Sequence, residues 1–506
     1  MNFSSDNSML KLRQATYWLL ICLSVGMMLG RVLAVDAVDR TALAKDRLKH
    51  IAGELDRRKE QLRQQGLEGE ALEKELVRIE TQLRREAQLR RPFLSGNDRS
   101  RWCTVRALVE PDMRVEGAPY AIDKVIQDPN WDTIDMVKHG GHLYSSKPPL
   151  MATLMAGIYW IIYHVTGMSL ATHPFIVGRI MLVIINVVPL AISFILLARL
   201  AERFGTTDWG RLFVIAAATF GTFLTTFAVA INNHLFAAVC ATVAVYAAAP
   251  IWCDDNRRIR YFVLAGFFGA LMASGELTAL ALFVPISLAL LWKAPRRTLI
   301  AYIPAAMVVA AAFFATAWIA HGSLSFPYMH RGPGDNWYDY TFQRNGKEIE
   351  SYWSHPSGID QGEQSRAIYA LNVLVGHHGI FSLTPIWLLT VAGIVISLWP
   401  GQDRRLRQWA VLIGGVSLVC IVFYLFRPLG ERNYGGMTSG FRWVFWLAPL
   451  WLLSMLPAAD LLSKRRWTRV VALVFLAFSV LSASYPAWNP WTHPWIMDYV
   501  KYLKGN

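Results

Sequence analysis

Residues 92 to 150 hold the side chains of this chain that are best suited to chemistry. Asp98 lies near the start of this polar stretch and Lys147 near its end, just before two prolines. A carboxylate near a fixed cation can deprotonate an acceptor hydroxyl while the cation stabilises a phosphate leaving group. Asp98 also precedes a short amphipathic segment, so we expect it near the N-cap of an interfacial helix. Capping alone would also explain an aspartate at this position.

The rest of the chain has the composition of an integral membrane protein. Hydrophobic residues make up 54% of its 506 residues, and the mean hydropathy is +0.30. A helical crossing of the bilayer needs about 20 apolar residues. We therefore predict an all-α polytopic fold. By this criterion the chain has about eleven spans. They lie at residues 15–35, 175–198, 210–231, 234–252, 260–273, 276–293, 298–320, 379–399, 409–427, 441–458 and 467–484.

The formal net charge of +14 does not indicate nucleic-acid binding, because its basic residues gather in short loops between the predicted spans. Clusters such as Arg199–Arg211 and Lys464–Arg469 are typical of cytoplasmic loops. The chain is therefore predicted to lie in the cytoplasmic (inner) membrane with its amino terminus inside. The segments predicted outside are 36–147, 321–378, 427–440 and 485–506.

The apolar segment 148–167 conflicts with this topology if it crosses the membrane. If both it and residues 175–198 crossed, Arg199 to Arg211 would lie outside and every later loop would be inverted. We therefore predict that 148–167 is a helix along the outer surface. Its Tyr159, Trp160 and Tyr163 suit the interfacial layer.

Residues 37–91 form a separate charged segment with helical periodicity. Leucines and isoleucines recur there at spacings of three, four and seven, and Gly66 and Gly69 interrupt the pattern. This predicts an antiparallel helical hairpin. Its role as a self-packed spacer, or as a surface for oligomerisation or acceptor docking, stays open.

These assignments divide the chain into seven regions. In order, they are a first transmembrane helix, the hairpin, an extracytoplasmic loop with the candidate chemistry, a block of spans, a second outer loop, a further block of spans and an outer tail. Their boundaries are 1–36, 37–91, 92–170, 171–320, 321–378, 379–485 and 486–506.

Two polar sites fall within the apolar regions. Asn233 and His234 follow a span at its predicted outer end, where interfacial capping is one explanation and contact with a carrier or acceptor is another. Glu276 interrupts the apolar stretch 260–293, and an ionisable residue at that depth usually faces a cavity or a partner. A structural hydrogen bond to a neighbouring helix explains Glu276 equally well.

Further candidates lie at the predicted outer ends of later spans. His377 and His378 precede one span, and Arg432 and Arg442 flank a glycine-containing turn. Arginines converging on a cavity beside Lys147 would suit a carrier phosphate, while lipid headgroups are the other explanation.

Two runs in the first outer loop resemble a known family. They are Asp98-Arg-Ser-Arg-Trp-Cys-Thr-Val-Arg-Ala-Leu-Val-Glu110 and Tyr144-Ser-Ser-Lys-Pro-Pro-Leu150, and both resemble the first extracytoplasmic loop of GT-C glycosyltransferases. Lipid A aminoarabinose transferases and protein O-mannosyltransferases are the most similar members. The resemblance implies that Asp98 is the catalytic base, that Arg101 belongs to an Arg-aromatic pair and that Lys147 binds donor phosphate. Glu110 and Tyr144 are further cavity candidates.

The activity that this resemblance implies is transfer of a sugar from a polyprenyl-phosphate carrier to a lipid, glycan or protein, with inversion at the anomeric carbon. No cofactor is expected, and a requirement for a divalent metal stays open. Arg99 stands where the family often has Glu, so the resemblance does not carry over a role for a second carboxylate in metal binding. The competing hypothesis is a transporter or flippase of a lipid-linked glycan, although the sequence has no internal repeat of the kind that transporters often show.

Overall fold

The computed structural model describes residues 3–34, 40–86, 93–344, 346–486 and 489–504. Helices dominate this part of the chain. The amino-terminal helices are α1 (Phe3–Ala34), α2 (Arg40–Gln64), α3 (Gly69–Glu86), α4 (Gly96–Val109) and α5 (Pro149–Thr166). The following helices are α6 (Pro174–Phe204), α7 (Asp208–Phe220), α8 (Asn233–Asp254), α9 (Ile259–Gly275), α10 (Leu280–Lys293) and α11 (Pro295–His321).

Further helices and the strands follow along the described part of the chain. The helices are α12 (Arg366–Leu374), α13 (Ile380–Leu383), α14 (Trp387–Leu398), α15 (Arg404–Leu425), α16 (Ala448–Leu462), α17 (Arg466–Ser484) and α18 (Trp495–Leu503). Three antiparallel two-stranded hairpins, which the all-α prediction did not include, are β1 (Met136–His139) with β2 (His142–Ser145), β3 (Arg331–Gly332) with β4 (Asp335–Asn336), and β5 (Thr341–Arg344) with β6 (Lys347–Glu350).

Each of the predicted spans corresponds to an apolar helix. Within the described residues, nine helices are long and apolar enough to cross a membrane, and α5 is one of these nine. The predicted spans 260–273, 276–293 and 379–399 correspond to the shorter apolar helices Ile259–Gly275, Leu277–Lys293 and Trp387–Leu398. The protein is therefore a multi-pass membrane protein, and the number of full crossings stays a prediction.

Most of the basic loops meet at one end of the helical bundle, which we call the basic face. Arg13 in α1 donates two hydrogen bonds of 2.6 Å to Glu202 in α6. Lys293 pairs with Asp255 at 2.9 Å, and the indole of Trp252 donates to Gln408. These contacts join loops that are far apart in sequence, as expected if all of them share one side of the bilayer.

The contact between Arg13 and Glu202 also determines how α5 can lie. It places the start of α1 and the end of α6 on the same face, so the chain makes no net crossing between Ala34 and Pro174. Of the helices described in that interval, α5 alone is long and apolar enough to span. A single crossing by α5 is thus incompatible with the ion pair. This geometry supports the predicted surface helix.

The charged segment folds into the two helices α2 and α3, which pack against each other across a short turn. Gly66 and Gly69 both adopt positive φ angles, 84° and 61°, where other residues are strained. Ile51 of α2 and Leu72 of α3 are buried, whereas the charged side chains that the structure describes in both helices are largely exposed. The predicted apolar seam therefore joins two antiparallel helices.

Helix α8 runs through the centre of the bundle and links its two ends. Its alanines, including Ala237, Ala241 and Ala244, are buried and let neighbouring helices approach closely. At 1.5 Å per residue, its 22 residues span about 33 Å. Asp254 at its end lies on the basic face, so Asn233 at its start lies at the opposite end, which we call the site face.

We expect Arg13→Ala to lower the free energy of unfolding by about 1 kcal/mol, because it leaves Glu202 without its bidentate partner. The Glu202 side chain is 29% exposed, so water offsets part of the loss. Unfolding in mixed detergent micelles measures the effect. Arg57→Ala, which removes a side chain that is 77% exposed, is the control and should change stability by less than about 0.5 kcal/mol. Equal effects of the two variants would contradict a structural role for Arg13.

Candidate functional site

Helix α4 carries the first residues of the site along the chain, and Ser95 is its N-cap residue. The Ser95 backbone is extended, with φ −150° and ψ 167°, and its hydroxyl accepts a hydrogen bond from the Asp98 amide. Asp98 is the third helical residue, so it lies near the N-cap as expected. Serine takes the capping position because its short hydroxyl reaches the free amides of the first turn.

The Asp98 carboxylate is buried and hydrogen-bonded to three fixed donors. One oxygen accepts from the Trp102 indole at 2.9 Å and from the Ile231 amide at 3.1 Å, and the other accepts from the Leu94 amide at 3.3 Å. Burial raises the pKa of Asp98 to about 6, although these hydrogen bonds oppose the shift. Asp98 therefore joins the start of α4 to the segment just before α8.

The β1–β2 hairpin positions Lys147 next to α4. Ser145 at the end of β2 shares a hydrogen bond of 2.5 Å with Ser100 of α4. The Lys147 ammonium group donates to Asp135 at 3.0 Å. Burial lowers the pKa of Lys147 and the carboxylate of Asp135 opposes that shift. Burial alone would raise the pKa of Asp135, but its contacts with Lys147 and Ser146 outweigh burial and hold the pKa below its usual value.

A chain of polar contacts connects α4 to the break between α9 and α10. The Arg101 guanidinium donates to the side-chain oxygens of Asn97, at 2.5 Å, and of Asn233, at 2.9 Å. The Asn233 amide in turn donates to the Glu276 carboxylate, which His234 also contacts. Glu276 is only 6% exposed. The three predicted candidates Asn233, His234 and Glu276 are therefore in direct contact.

Arg442 approaches the same region from the segment before α16. Its Nε donates to the Gly435 carbonyl at 2.7 Å. Gly435 has φ 97°, and a Cβ there would lie 2.6 Å from that nitrogen, so the turn needs glycine. The Arg442 Nη1 is buried and has no hydrogen-bond partner among the described residues. This guanidinium therefore retains an unused donor.

These side chains surround a cavity of about 500 Å³. Its charged and polar lining comprises Asn97, Arg101, Lys147, Asn233, His234, Ser274, Glu276, Thr278, Tyr328, Tyr424, Arg427 and Arg442. Apolar side chains, including Met151, Phe236, Leu277, Phe313 and Phe423, cover the rest of its wall. The cavity thus combines a polar, cationic part with an apolar part.

The charges around the cavity are unevenly compensated. Lys147 pairs with Asp135, and Arg427 pairs with Glu431 at 2.6 Å. Arg101 and Arg442 differ, because no carboxylate of the described residues contacts either one. Their exposed fractions are only 3% and 8%. A buried cation without a counter-ion is costly, so this part of the cavity is suited to an anionic ligand.

Several predicted candidates lie elsewhere. Asp98 does not line the cavity. Glu110 pairs with Arg106 and accepts a hydrogen bond from Tyr159. Arg432 donates to the Gln364 carbonyl. The remaining three candidates do not line the cavity either. Tyr144 lines a small neighbouring crevice with Arg101 and Lys147. His377 and His378 hydrogen-bond to each other.

Two charged residues absent from the predicted site belong to it. Asp135 pairs with Lys147, and Arg427 lines the cavity. Asp135 was one of several acidic residues in its loop, and only the register of the β1–β2 hairpin brings it opposite Ser146. Arg427 ends a predicted span, which is the signal that could have found it.

The described residues contain no group of three or more His, Cys, Asp or Glu side chains arranged to hold a metal ion. Glu276, His234 and Cys420 are the cavity-lining residues of these types.

The profile of glycosyltransferase family 87 matches residues 158–423, which is more than half of the chain. The chain belongs to glycosyltransferase family 87. This membership confirms the GT-C resemblance, and it rests on a part of the chain that does not include residues 98–150, from which the resemblance was drawn. No curated protein matches this family 87 member.

Two solved structures are similar to the family 87 chain. One is the Archaeoglobus fulgidus oligosaccharyltransferase in complex with zinc and sulfate, with 14% identity and a TM-score of 0.38. The other is the oligosaccharyltransferase AglB from Archaeoglobus fulgidus in complex with an inhibitory peptide and a dolichol-phosphate, with 14% identity and a TM-score of 0.35. Each covers 81% of this chain, which covers 55% and 57% of their respective lengths.

We expect Asp98→Ala to lower the free energy of unfolding by about 3 kcal/mol or more, because it leaves three buried donors without an acceptor. Unfolding in mixed micelles without substrate measures this effect. Asp112→Ala removes an exposed carboxylate from the same loop and serves as the matched control. A stability loss no greater than that of the control would show that Asp98 does not anchor α4.

Proposed function

We propose that this family 87 member transfers a sugar from a polyprenyl-phosphate carrier to an acceptor hydroxyl in the cavity on the site face. The observation that carries the proposal is the pair of buried guanidiniums, Arg101 and Arg442, neither of which forms a direct ion pair with a carboxylate of the described residues. A phosphate diester would supply the missing negative charge, and arginine suits phosphate because its N–H groups form a planar fork.

Lys147 and Arg427 extend the proposed phosphate site. Both line the cavity with Arg101 and Arg442, and each keeps a carboxylate partner that holds it in place. As the sugar leaves the carrier, negative charge increases on the phosphate oxygens. Preorganised cations in a site screened from water stabilise that charge most effectively.

The apolar part of the cavity suits the prenyl chain. Leu277 and Phe423 line the cavity and are 57% and 45% exposed, so the apolar wall continues onto the outer surface of the bundle. A prenyl chain lying in the membrane could reach the cavity along this wall without crossing water. The free energy gained is about 0.8 kcal/mol for each CH₂ buried.

The proposed reaction is a single displacement. The acceptor oxygen forms a bond to the anomeric carbon, and the bond from that carbon to the phosphate oxygen breaks. The electron pair of that bond leaves with the polyprenyl phosphate, and the acceptor proton passes to a carboxylate. Inversion at the anomeric carbon is the expectation by analogy. Asp98, by resemblance, and Glu276, by position in the cavity, are the two candidate bases.

The site is proposed to face away from the cytoplasm. The basic face gathers the arginine and lysine clusters that are typical of cytoplasmic loops, and the cavity lies at the other end of α8. We place the protein in the inner membrane on this basis. The acceptor class is a lipid, glycan or protein, and the α2–α3 hairpin offers a surface for an acceptor or a second copy.

The test is transfer from radiolabelled polyprenyl-phosphate sugars by the purified protein with membrane extract. We expect Arg442→Met to reduce transfer and binding of polyprenyl phosphate by about 10- to 100-fold, equivalent to roughly 1.4 to 3 kcal/mol. Its free energy of unfolding should stay within about 1 kcal/mol of wild type, because the variant also removes an uncompensated buried charge.

Lys124→Met is the control for Arg442→Met, because Lys124 is an exposed cation of the outer loop. It should leave transfer unchanged. If wild type carries a lipid-linked glycan across vesicle membranes but never transfers its sugar, the transporter hypothesis replaces this proposal. Full transfer by Arg442→Met would remove Arg442 from the phosphate site.

A further inference from the structure

We infer that Trp491 is a positioning residue for the proposed phosphate site, because its indole ring holds the Arg442 guanidinium in place. The inference rests on the proposed function, in which Arg442 binds the carrier phosphate. The central carbon of that guanidinium lies 4.5 Å from the centroid of the Trp491 ring. A cation over an aromatic ring is attracted by the negative electrostatic potential of the ring face, and tryptophan attracts cations most strongly.

Both partners of this contact are buried. Trp491 and Arg442 are each 8% exposed. A cation–π contact is stronger when it is desolvated, because water does not compete for the cation. Arg442 forms no direct ion pair with a carboxylate of the described residues. Because the ring carries no net charge, it can hold the guanidinium without neutralising it, and the positive charge stays available to an anion.

The contacts of Arg442 leave part of its guanidinium unused. Its Nε donates to the Gly435 carbonyl at 2.7 Å, and its central carbon lies over the Trp491 ring. Its Nη1 is buried and has no hydrogen-bond partner among the described residues. Arg442 lines the cavity, whereas Trp491 does not. The ring and the carbonyl thus hold the side chain, and Nη1 retains a donor for a phosphate oxygen.

Trp491 is itself held on two sides. Its ring meets the Phe227 ring edge to face, with 5.4 Å between the centroids and 89° between the planes. Phe227 is 1% exposed and also contacts Phe445, in the segment before α16. Just before the tryptophan, the Pro490 carbonyl accepts a hydrogen bond of 3.0 Å from the Ser439 amide. The indole therefore has a fixed place from which to orient the guanidinium.

The indole N–H group of Trp491 is buried and has no hydrogen-bond partner among the described residues. Buried tryptophans usually find a partner for this group. Trp491 therefore contributes through its ring face and its packing, and not through a hydrogen bond. Phenylalanine keeps an aromatic ring but attracts a cation less strongly, so Trp491→Phe should keep part of the effect.

The carboxy-terminal segment that carries Trp491 is tied to the end of α17. The Trp495 indole donates to Ser482 at 2.8 Å, and the Tyr485 hydroxyl donates to Asp498 at 2.8 Å. The segment predicted as an outer tail thus supplies a residue next to the proposed phosphate site.

The test measures binding of undecaprenyl phosphate to the full-length protein in mixed detergent micelles, with undecaprenol as the probe that lacks phosphate. We expect Trp491→Leu to weaken binding of undecaprenyl phosphate by about 10-fold and Trp491→Phe by about 3-fold. Binding of undecaprenol should change by less than about 2-fold, because it offers Arg442 no anion. Trp491→Phe carries the same test if Trp491→Leu does not fold.

A double-mutant cycle tests whether Trp491 acts through Arg442. In the Arg442→Met background, Trp491→Leu should change binding of undecaprenyl phosphate by less than about 2-fold, because no cation is left to hold. Tyr499→Leu is the control, since it removes an aromatic ring of α18 that is 54% exposed. It should bind both probes like its parent in either background.

The outcomes separate this inference from the proposed function. If Trp491→Leu binds undecaprenyl phosphate like wild type, or weakens it equally in the Arg442→Met background, the inference is wrong. If Trp491→Leu weakens binding of both probes in parallel, Trp491 has only a structural role and the inference is also wrong. If wild type does not bind undecaprenyl phosphate, or Arg442→Met binds it like wild type, the proposed phosphate site itself fails.

Discussion

The burial of cations without matching carboxylates is the constraint on which this site depends. Arg101 and Arg442 lie in a largely apolar bundle, and their hydrogen bonds to described residues go to neutral oxygens. The Arg442 guanidinium also lies over the Trp491 ring, 4.5 Å from its centroid. Removing a charge from water costs several kcal/mol unless it is paired. Until an anion binds, favourable interactions elsewhere in the fold must offset this desolvation free energy. Such stored electrostatic energy is typical of sites that bind charged ligands.

The surrounding elements keep these cations from finding other partners. Asp98 ties the start of α4 to Ile231, just before α8, and so holds Arg101 opposite Asn233. The turn at Gly435 fixes Arg442 through a backbone carbonyl. Rigid attachment matters because a flexible arginine would turn towards water or a surface carboxylate. The same principle explains the break after α9, which leaves Glu276 in the cavity and not on a helix surface.

The charged residues at the two ends of the bundle differ in how they are paired. On the basic face, Arg13 and Lys293 pair with carboxylates such as Glu202 and Asp255, so the charges there are matched and partly hydrated. On the site face, the cavity is both buried and unbalanced. Matched pairs serve topology and stability, whereas unmatched buried charges serve binding. This difference, together with membership of glycosyltransferase family 87, supports the proposed transfer from a phosphate-linked donor.

The sequence by itself determined the membrane class, the apolar helices and the helical hairpin, because each depends on composition and local periodicity. It also identified Arg101 and Lys147, through the polar outer stretch and its resemblance to a family motif, and Arg442, a cation at the outer end of a predicted span. Only the tertiary structure decided which of these residues meet. It placed Asp98 behind the cavity wall and Glu276 on it, and it separated Arg432 and the two histidines from both. Contacts between residues distant in sequence, such as the hydrogen bonds from Arg101 to Asn233 and from Ile231 to Asp98, decide such placements, and no local pattern records them.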